Sequence, residues 1–162
     1  MLPRSRELLV RTARRLAAVA TLGIMVCALA YAQSPAARAE RDLLAAVNQA
    51  RRNHGMAALW WDSTLAAAAR RHAAVMAEHH SAQHGFDGEP GLAARANQAG
   101  AHFSWLSENI AQGRTSELIQ AQFMKSPSHR ANILDTDMNS IGVGVVERGG
   151  QLFAVEDFAQ MR

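Results

Sequence analysis

Three segments of the chain place a titratable side chain beside small or turn-forming residues. The side chains are His84 in QHGFDGEP, Glu108 in SENIAQG and His129 in SPSHRANIL. Two neutral imidazoles and one carboxylate could fill three of the four tetrahedral positions around zinc or another divalent cation, leaving one position open for water or substrate. The chain has seven histidines, and these three residues lack the i, i+4 spacing of a helical metal motif. Spacing alone therefore favours a hydrogen-bonded interior network over a metal site.

Two serines next to His129 raise the question of nucleophilic catalysis. Ser126 and Ser128 flank Pro127 immediately before the histidine. Residues this close on a turn rarely reach the geometry that activates a serine, and no aspartate partner is evident. The sequence therefore disfavours a serine nucleophile.

Helices and strands must bring these segments together from distant parts of the chain. Apolar residues recur at helical spacing in RDLLAAVNQARRNHG, STLAAAARRHAAVMAEHH, LAARANQAG and SELIQAQFMKS. HFSWLSENIAQG predicts a strand, and SIGVGVVERGGQLFAVEDF predicts a hairpin that turns at Gly149 and Gly150. Pro127 ends the fourth helix or begins another. This order predicts an α+β fold, with helices layered on a small antiparallel sheet.

The first part of the chain reads as a targeting segment. Residues 1–15 carry five arginines and one glutamate, residues 16–32 are apolar or small, and the stretch ends in Ala-Tyr-Ala. A basic stretch, an apolar stretch and a small-residue ending predict an export signal over 1–32 that is cleaved after Ala32. The alternative is an uncleaved membrane anchor. Residues 33–40 are predicted to be a linker and residues 41–162 to be one domain.

Composition without the leader excludes some classes of partner. The remaining chain has 12 basic and 13 acidic residues and no cysteine, because Cys27 lies in the leader. A net charge near −1 disfavours nucleic-acid binding, which requires clustered cations. Without disulfides, stability must come from a packed core. Contact with a membrane is expected only through an uncleaved leader.

Several other residues carry structural predictions. Trp60, Trp61 and Trp105 are expected in the core and in the wall of a cleft rather than as a sugar-stacking platform. His72 is expected to be partly buried. One of the two acidic residues Glu156 and Asp157 is expected to face solvent at a sheet edge.

Several ordered motifs resemble the CAP superfamily, which comprises cysteine-rich secretory proteins, antigen 5 and pathogenesis-related 1 proteins. The chain is most similar to the disulfide-free bacterial form known as the SCP domain. The resemblance covers about residues 43–158. It is carried by VNQARRNHG, LWWDSTLAAAARRHA, HGFDGEPGL, SENIAQG, KSPSHRANIL and IGVGVVERGGQLFAVEDF.

The resemblance implies a three-layer α-β-α sandwich with a central cleft lined by two histidines and two glutamates. In some members this cleft holds zinc or another divalent cation. Matched by position, His84, Glu108 and His129 are three of the four residues, and Ser126 stands where the second glutamate would be. Glu89 is a hypothetical substitute, because it follows His84 by five residues.

The sequence thus predicts an exported domain whose cleft binds a ligand: a small molecule, a lipid, an envelope component or a protein. The fold does not choose among these ligands. The alternative is a metal-assisted hydrolase or peptidase acting on envelope polymer or peptide, in which Glu108 is a metal ligand or general base. A purely structural interaction module is a third possibility.

Overall fold

The structure is a computed structural model that describes residues 34–162. The predicted export signal over 1–32 lies outside the described residues. The helices are α1 Pro35–Asn53, α2 Ser63–His79, α3 Leu92–Gln98, α4 Ser116–Lys125 and α5 Pro127–Ile133. The strands are β1 Trp60–Trp61, β2 Phe103–Gly113, β3 Ser140–Arg148 and β4 Gln151–Met161.

The four strands form one sheet in the order β1-β3-β4-β2. Strand β4 runs antiparallel to both of its neighbours, β3 and β2, whereas β1 runs parallel to β3. Gly149 and Gly150 connect β3 to β4 with φ angles of 60° and 73°. Positive φ at both positions is the requirement of a two-residue hairpin turn, and glycine meets it without steric cost. The predicted hairpin is therefore confirmed, and it builds the centre of the sheet.

One face of the sheet is built for close contact with a helix. In the IGVGV segment, Gly142 and Gly144 lie on the face that α2 covers. A Cβ atom on Gly142 would lie 2.1 Å from the backbone nitrogen of Ala66, and one on Gly144 would lie 2.2 Å from that of Arg70. The alanine-rich sequence of α2 and the two glycines therefore allow backbone to meet backbone, and α3 packs beside α2 on the same side.

The opposite face carries the largest part of the core. Ile141, Val143 and Val145 alternate with the glycines of β3 and point to this side. They pack with α1, α4 and α5 through fully buried side chains that include Leu43, Ile119, Phe123 and Ile133. Helices on both faces of one sheet make a three-layer α-β-α sandwich, which confirms the predicted α+β class.

Helix α1 begins earlier than the predicted linker allows. Pro35 starts the helix, and Ala37, Ala39 and Glu40 are already buried. Glu40 accepts hydrogen bonds from the guanidinium of Arg70 at 2.7 and 2.6 Å and from the backbone of Val145 at 3.2 Å. Residues 35–40 therefore belong to the packed domain, because their small side chains fit against it and Glu40 has partners that the local sequence could not reveal. None of the helices within residues 34–162 is long and apolar enough to cross a membrane.

The prediction that the tryptophans lie in the core is wrong. Trp60 is 78 % exposed, Trp61 40 % and Trp105 62 %. Trp60 and Trp61 form the short outermost strand β1, where only one side is paired. The guanidinium of Arg70 lies 5.8 Å from the centre of the Trp61 ring and covers part of it.

Candidate functional site

His129 is held at the start of a short helix beside the sheet. Pro127 occupies the first position of α5, where its missing N–H costs nothing. The His129 ring meets Phe123 of α4 edge-on, with ring centres 5.1 Å apart. At the other end of α5, Arg51 donates hydrogen bonds to the carbonyls of Ile133 at 2.9 Å and Asp135 at 2.8 Å. These contacts give the imidazole a fixed place.

Two asparagines connect α5 to strand β2. The amide of Asn109 donates to the carbonyl of His129 at 3.2 Å. The amide of Asn132 donates to Asn109 Oδ1 at 2.9 Å and to the carbonyl of Glu108 at 3.3 Å. The SPSHRANIL and SENIAQG motifs are therefore parts of one hydrogen-bonded unit, which sets the distance between His129 and the strand.

Glu108 uses both of its carboxylate oxygens within the protein. Oε1 lies 2.8 Å from Nδ1 of His84, and Oε2 accepts a hydrogen bond from Arg95. The Glu108 side chain is buried, whereas that of His84 is 62 % exposed. Arg95 also donates to the carbonyl of Pro90 at 3.1 Å, which holds the loop before α3 against the strand. Glu108 thus orients His84, and its charge is balanced by Arg95.

Glu89 turns away from His84 toward a different histidine. Its Oε1 lies 2.7 Å from Nδ1 of His72, and 3.9 Å from a guanidinium nitrogen of Arg95. His72 is completely buried rather than partly buried as predicted. The structure therefore gives Glu89 a place in a buried ionic cluster under the loop, and it does not bring Glu89 to His84 or His129.

Glu156 and Asp157 both lie in the interior, so the prediction that one of them faces solvent is wrong. Strand β4 is central in the sheet, and each residue is 0 % exposed. Burial raises the pKa of Asp157 well above its ordinary value, the charge of Glu108 raises it further, and Arg95 opposes the shift. Burial raises the pKa of Glu156 to about 8, against a smaller opposing effect of the Asn109 hydrogen bond. Burial therefore favours the protonated form of both carboxyl groups.

We expect Glu156→Gln to stabilise the protein at mildly alkaline pH. The unfolded chain loses this proton near pH 4.5 and the folded chain near pH 8, so the group's stabilising contribution falls as pH rises through that window. The loss reaches up to roughly 4 kcal/mol by pH 8, and a glutamine in the same place avoids it. Thermal unfolding between pH 5 and 9 measures the difference between variant and parent.

The control for this prediction is Glu78→Gln, which neutralises an exposed carboxylate on α2. It should leave the pH profile of the parent unchanged. Asp157 lowers stability with rising pH in the parent, E156Q and E78Q alike. The difference between the three pH profiles therefore reports on Glu156 alone. An E156Q protein with the parental slope would show that Glu156 is already ionised at neutral pH.

A cleft of about 430 Å³ opens beside β2, and we call it the edge cleft. Its walls come from the end of α2 and the following loop, from β2, and from α4 and α5; they include Ser81, Ala82, Ile110, Gln112, Phe123 and His129. Burial lowers the pKa of His129, and the charge of nearby His84 lowers it further. His129 therefore presents a neutral imidazole to the cleft at neutral pH.

Ser126 belongs to the start of α5 rather than to the edge cleft. It lies at the N-cap of α5, and its hydroxyl lies 3.2 Å from that of Ser128. Ser126, like His84 and Glu108, is not among the residues that line the cleft; of the predicted cleft residues only His129 is.

Several site residues were not identified from the sequence. Arg95 is a charged residue on a helix, and only the fold shows that it points inward; His72 was predicted to be partly buried but not to contact Glu89. In the sequence, Asn109 is a member of the SENIAQG motif with no predicted role. The one available signal was that Arg95 and His72 fall among alanines on the buried stripe of their helices.

Sequence and fold comparisons agree on one family. The cysteine-rich secretory protein family, called CAP, matches residues 44–158. This chain belongs to the CAP family. Uncharacterized protein YkwD of Bacillus subtilis is 30 % identical over 118 residues, which cover 68 % of this chain and 43 % of YkwD. The chain thus spans about two fifths of that relative, and the predicted membership is confirmed.

Two solved structures share the CAP fold of this chain. An extracellular protein from Bacillus anthracis that contains an SCP domain aligns with a TM-score of 0.70 and 24 % identity, over 77 % of this chain and 41 % of its own. An outer surface protein of Borrelia burgdorferi aligns with a TM-score of 0.71 and 21 % identity, over 77 % and 94 % of the two chains. At these identities the likeness shows the fold.

His84 has the hydrogen-bonding pattern of a metal ligand that a carboxylate orients. Within the part of the chain that the structure describes, no three histidine, cysteine, aspartate or glutamate side chains are grouped to hold a metal ion. His84 keeps Nε2 free when Nδ1–H donates to Glu108, which is the arrangement of histidine ligands backed by a carboxylate. Glu108 therefore lies behind His84, and His84 Nε2 is the nitrogen that a cation could reach.

Proposed function

We propose that this protein is an exported CAP domain that binds a ligand in the edge cleft, through His129 and His84 and with a divalent cation between the two imidazoles. The observation that carries the proposal is the neutral, half-buried His129 in the wall of a 430 Å³ cleft, close enough to His84 to sense its charge. A cleft of this size is typical of small-ligand sites. Neutral imidazoles are the form that binds metal.

Glu108 acts in this proposal as a positioning residue. Its contact at 2.8 Å fixes the tautomer and the direction of the His84 ring, so that Nε2 faces outward. The cation would polarise or anchor polar groups of the ligand, and water or the ligand would complete its coordination.

Binding is favoured over the metal-assisted hydrolase that the sequence left open. A general base needs a carboxylate oxygen free to take a proton from water. Both oxygens of Glu108 are already hydrogen-bonded, one of them to the permanently charged Arg95. Asp157 and Glu156 are sealed in the interior and have raised pKa values. The carboxylates of this site thus serve its structure.

Export is the second element of the proposal. The basic and apolar pattern over 1–32 has the form of an export signal. Two proteins of the same fold are described as an extracellular protein and an outer surface protein. We propose that the CAP domain works at the cell envelope or outside the cell.

Calorimetric titration of the purified protein with zinc tests the cleft. We expect one zinc per chain, and at least about tenfold weaker binding after His84→Ala or His129→Ala, because each removes one of two protein ligands. His102→Ala is the matched control, since this exposed histidine precedes β2 and is not part of the site. Equal affinity in all four proteins would contradict the proposal.

A hydrolysis assay distinguishes a binding protein from a hydrolase. The zinc-loaded protein is incubated with casein and with purified peptidoglycan, and release of soluble fragments is measured. We expect no release above that of the H129A protein. Release that disappears on chelation and returns with zinc would replace the binding proposal by the hydrolase.

A further inference from the structure

Strand β2 is an edge strand whose outer side faces the edge cleft. It pairs with β4 on one side only. In an antiparallel strand, alternate residues direct both main-chain N–H and C=O to the same side, so every second residue of β2 points away from the sheet. Which residues point outward decides what the cleft offers to a ligand.

The hairpin turn determines which residues of β2 direct their main-chain groups toward β4 and which direct them outward. A two-residue turn at Gly149 and Gly150 makes Arg148 and Gln151 a hydrogen-bonded pair. Counting along β4, Phe153 and Val155 then bond to β3, and Ala154 and Glu156 bond to β2. The partners of Ala154 and Glu156 are Ala111 and Asn109, which therefore point inward.

Glu108, Ile110 and Gln112 consequently direct their main-chain groups away from the sheet. The contact of Asn132 supports this independently, because its side chain reaches the carbonyl of Glu108 from outside the sheet at 3.3 Å. Asn132 thus covers one end of the open edge, which limits unwanted pairing there.

The outward groups of Ile110 and Gln112 remain open to the cleft. No hydrogen bond formed within residues 34–162 uses them. Both residues line the edge cleft, and two steps along a strand separate their donor and acceptor pairs by about 7 Å. In an extended polypeptide, every second residue is separated by the same distance, so such a chain could pair with both residues.

The walls of the cleft set the chemistry of the occupant. Ser81 and Gln122 supply hydroxyl and amide groups, His80 and His129 supply imidazoles, and the partly exposed Ala82 supplies a small apolar side chain. The lining contains no aspartate, glutamate, lysine or arginine. The lining itself therefore gives a charged ligand no permanently charged side chain to pair with, so the protein's own contribution to binding comes through hydrogen bonds.

We propose that the ligand of the edge cleft is an extended, uncharged peptide segment that adds a short strand to β2. It exchanges main-chain hydrogen bonds with Ile110 and Gln112. Such strand addition takes its affinity from the main chain and its selectivity from alternate side chains. This inference rests on the proposed function, because it names the ligand class of the same cleft.

The experiment screens the purified protein, with and without zinc, against a combinatorial library of acetylated, amidated pentapeptides without charged side chains. A tetramer of N-acetylglucosamine is titrated beside it as a glycan probe. We expect saturable binders in the peptide library, with amide chemical-shift changes at Ile110 and Gln112. No binder in the library, or a glycan that shifts the same amides while no peptide does, would overturn the inference.

Two changes then test the main-chain contacts of a selected binder. Gln112→Pro removes an outward N–H that makes no bond to β4, and an edge strand tolerates proline there. We expect peptide binding to be at least tenfold weaker in Q112P than in Q112A, because both lose the glutamine side chain and only Q112P loses the N–H. N-methylation of alternate peptide residues should weaken binding as strongly in the unaltered protein. Equal affinities in these comparisons would overturn the inference.

The zinc titration separates the two claims. If peptides fail while H84A and H129A still weaken zinc binding, the peptide inference falls and the proposed function stands. If zinc binding is insensitive to both histidines, the cation part of the proposed function fails, whatever the peptides show.

Discussion

Gly144→Ala should unfold or severely destabilise this protein, although it adds a single methyl group. The new Cβ would lie 2.2 Å from the backbone nitrogen of Arg70 and 2.3 Å from the backbone carbon of Ala69. Backbone atoms in the middle of a helix cannot turn aside as a side chain can. Helix α2 would have to move outward by about 1 Å, which opens the packing along the whole face.

Overpacking of a core commonly costs about 1–3 kcal/mol, and a clash with backbone belongs at or above the top of this range. Gly91→Ala is the matched control, because nothing lies within 4 Å of its Cβ position and its φ is negative. Chemical denaturation of both variants measures the difference. A G144A protein as stable as G91A would mean that α2 does not lie directly on β3.

Arg95→Ala should have the second largest effect. Arg95 is the cation between Glu108 and Glu89, and all three side chains are at least nine-tenths buried. Removing it leaves two carboxylates in the interior near Asp157 without their main positive partner. Loss of one member of a buried charged group costs about 3–5 kcal/mol.

The effect of Arg95→Ala should depend on pH. Without the guanidinium, the buried carboxylates bind protons more readily, so the variant should regain part of its stability as pH falls from 7 to 5. Arg71→Ala is the control: this arginine is exposed and should change the free energy of unfolding by less than about 0.5 kcal/mol. Chemical denaturation at both pH values measures these changes. Equal stability of R95A and R71A at pH 7 would contradict the buried cluster.

The layered fold could be predicted from the sequence because its signals are local. Alternation of glycine with branched residues in IGVGV, the Gly149-Gly150 turn and the helical stripes each act over a few residues. Strand β1 could not be predicted, because two tryptophans in MAALWWD carry no period, and only the pairing with Ser140 and Ile141 makes them a strand.

The site could be predicted only where a motif named its residues. Local sequence singled out His84, Glu108 and His129, and the resemblance to the CAP superfamily assigned them to one cleft; the structure places His84 against Glu108. The partner of Glu89 could not be foreseen, because the choice between His84 and His72 depends on how a loop folds over α2. The role of Arg95 could not be foreseen for the same reason. Its ion pair with Glu108 joins residues that are 13 positions apart on different elements.

The central claim of the proposed function is that His84 and His129 bind one cation beside the edge cleft. Nitrogen NMR of the histidine side chains during zinc titration tests it most directly, because each imidazole is observed separately. We predict that the ring resonances of His84 and His129 shift together and saturate at one equivalent, while those of buried His72 stay in place. Shifts confined to exposed histidines such as His54 and His79, or no shift at either His84 or His129, would contradict the claim.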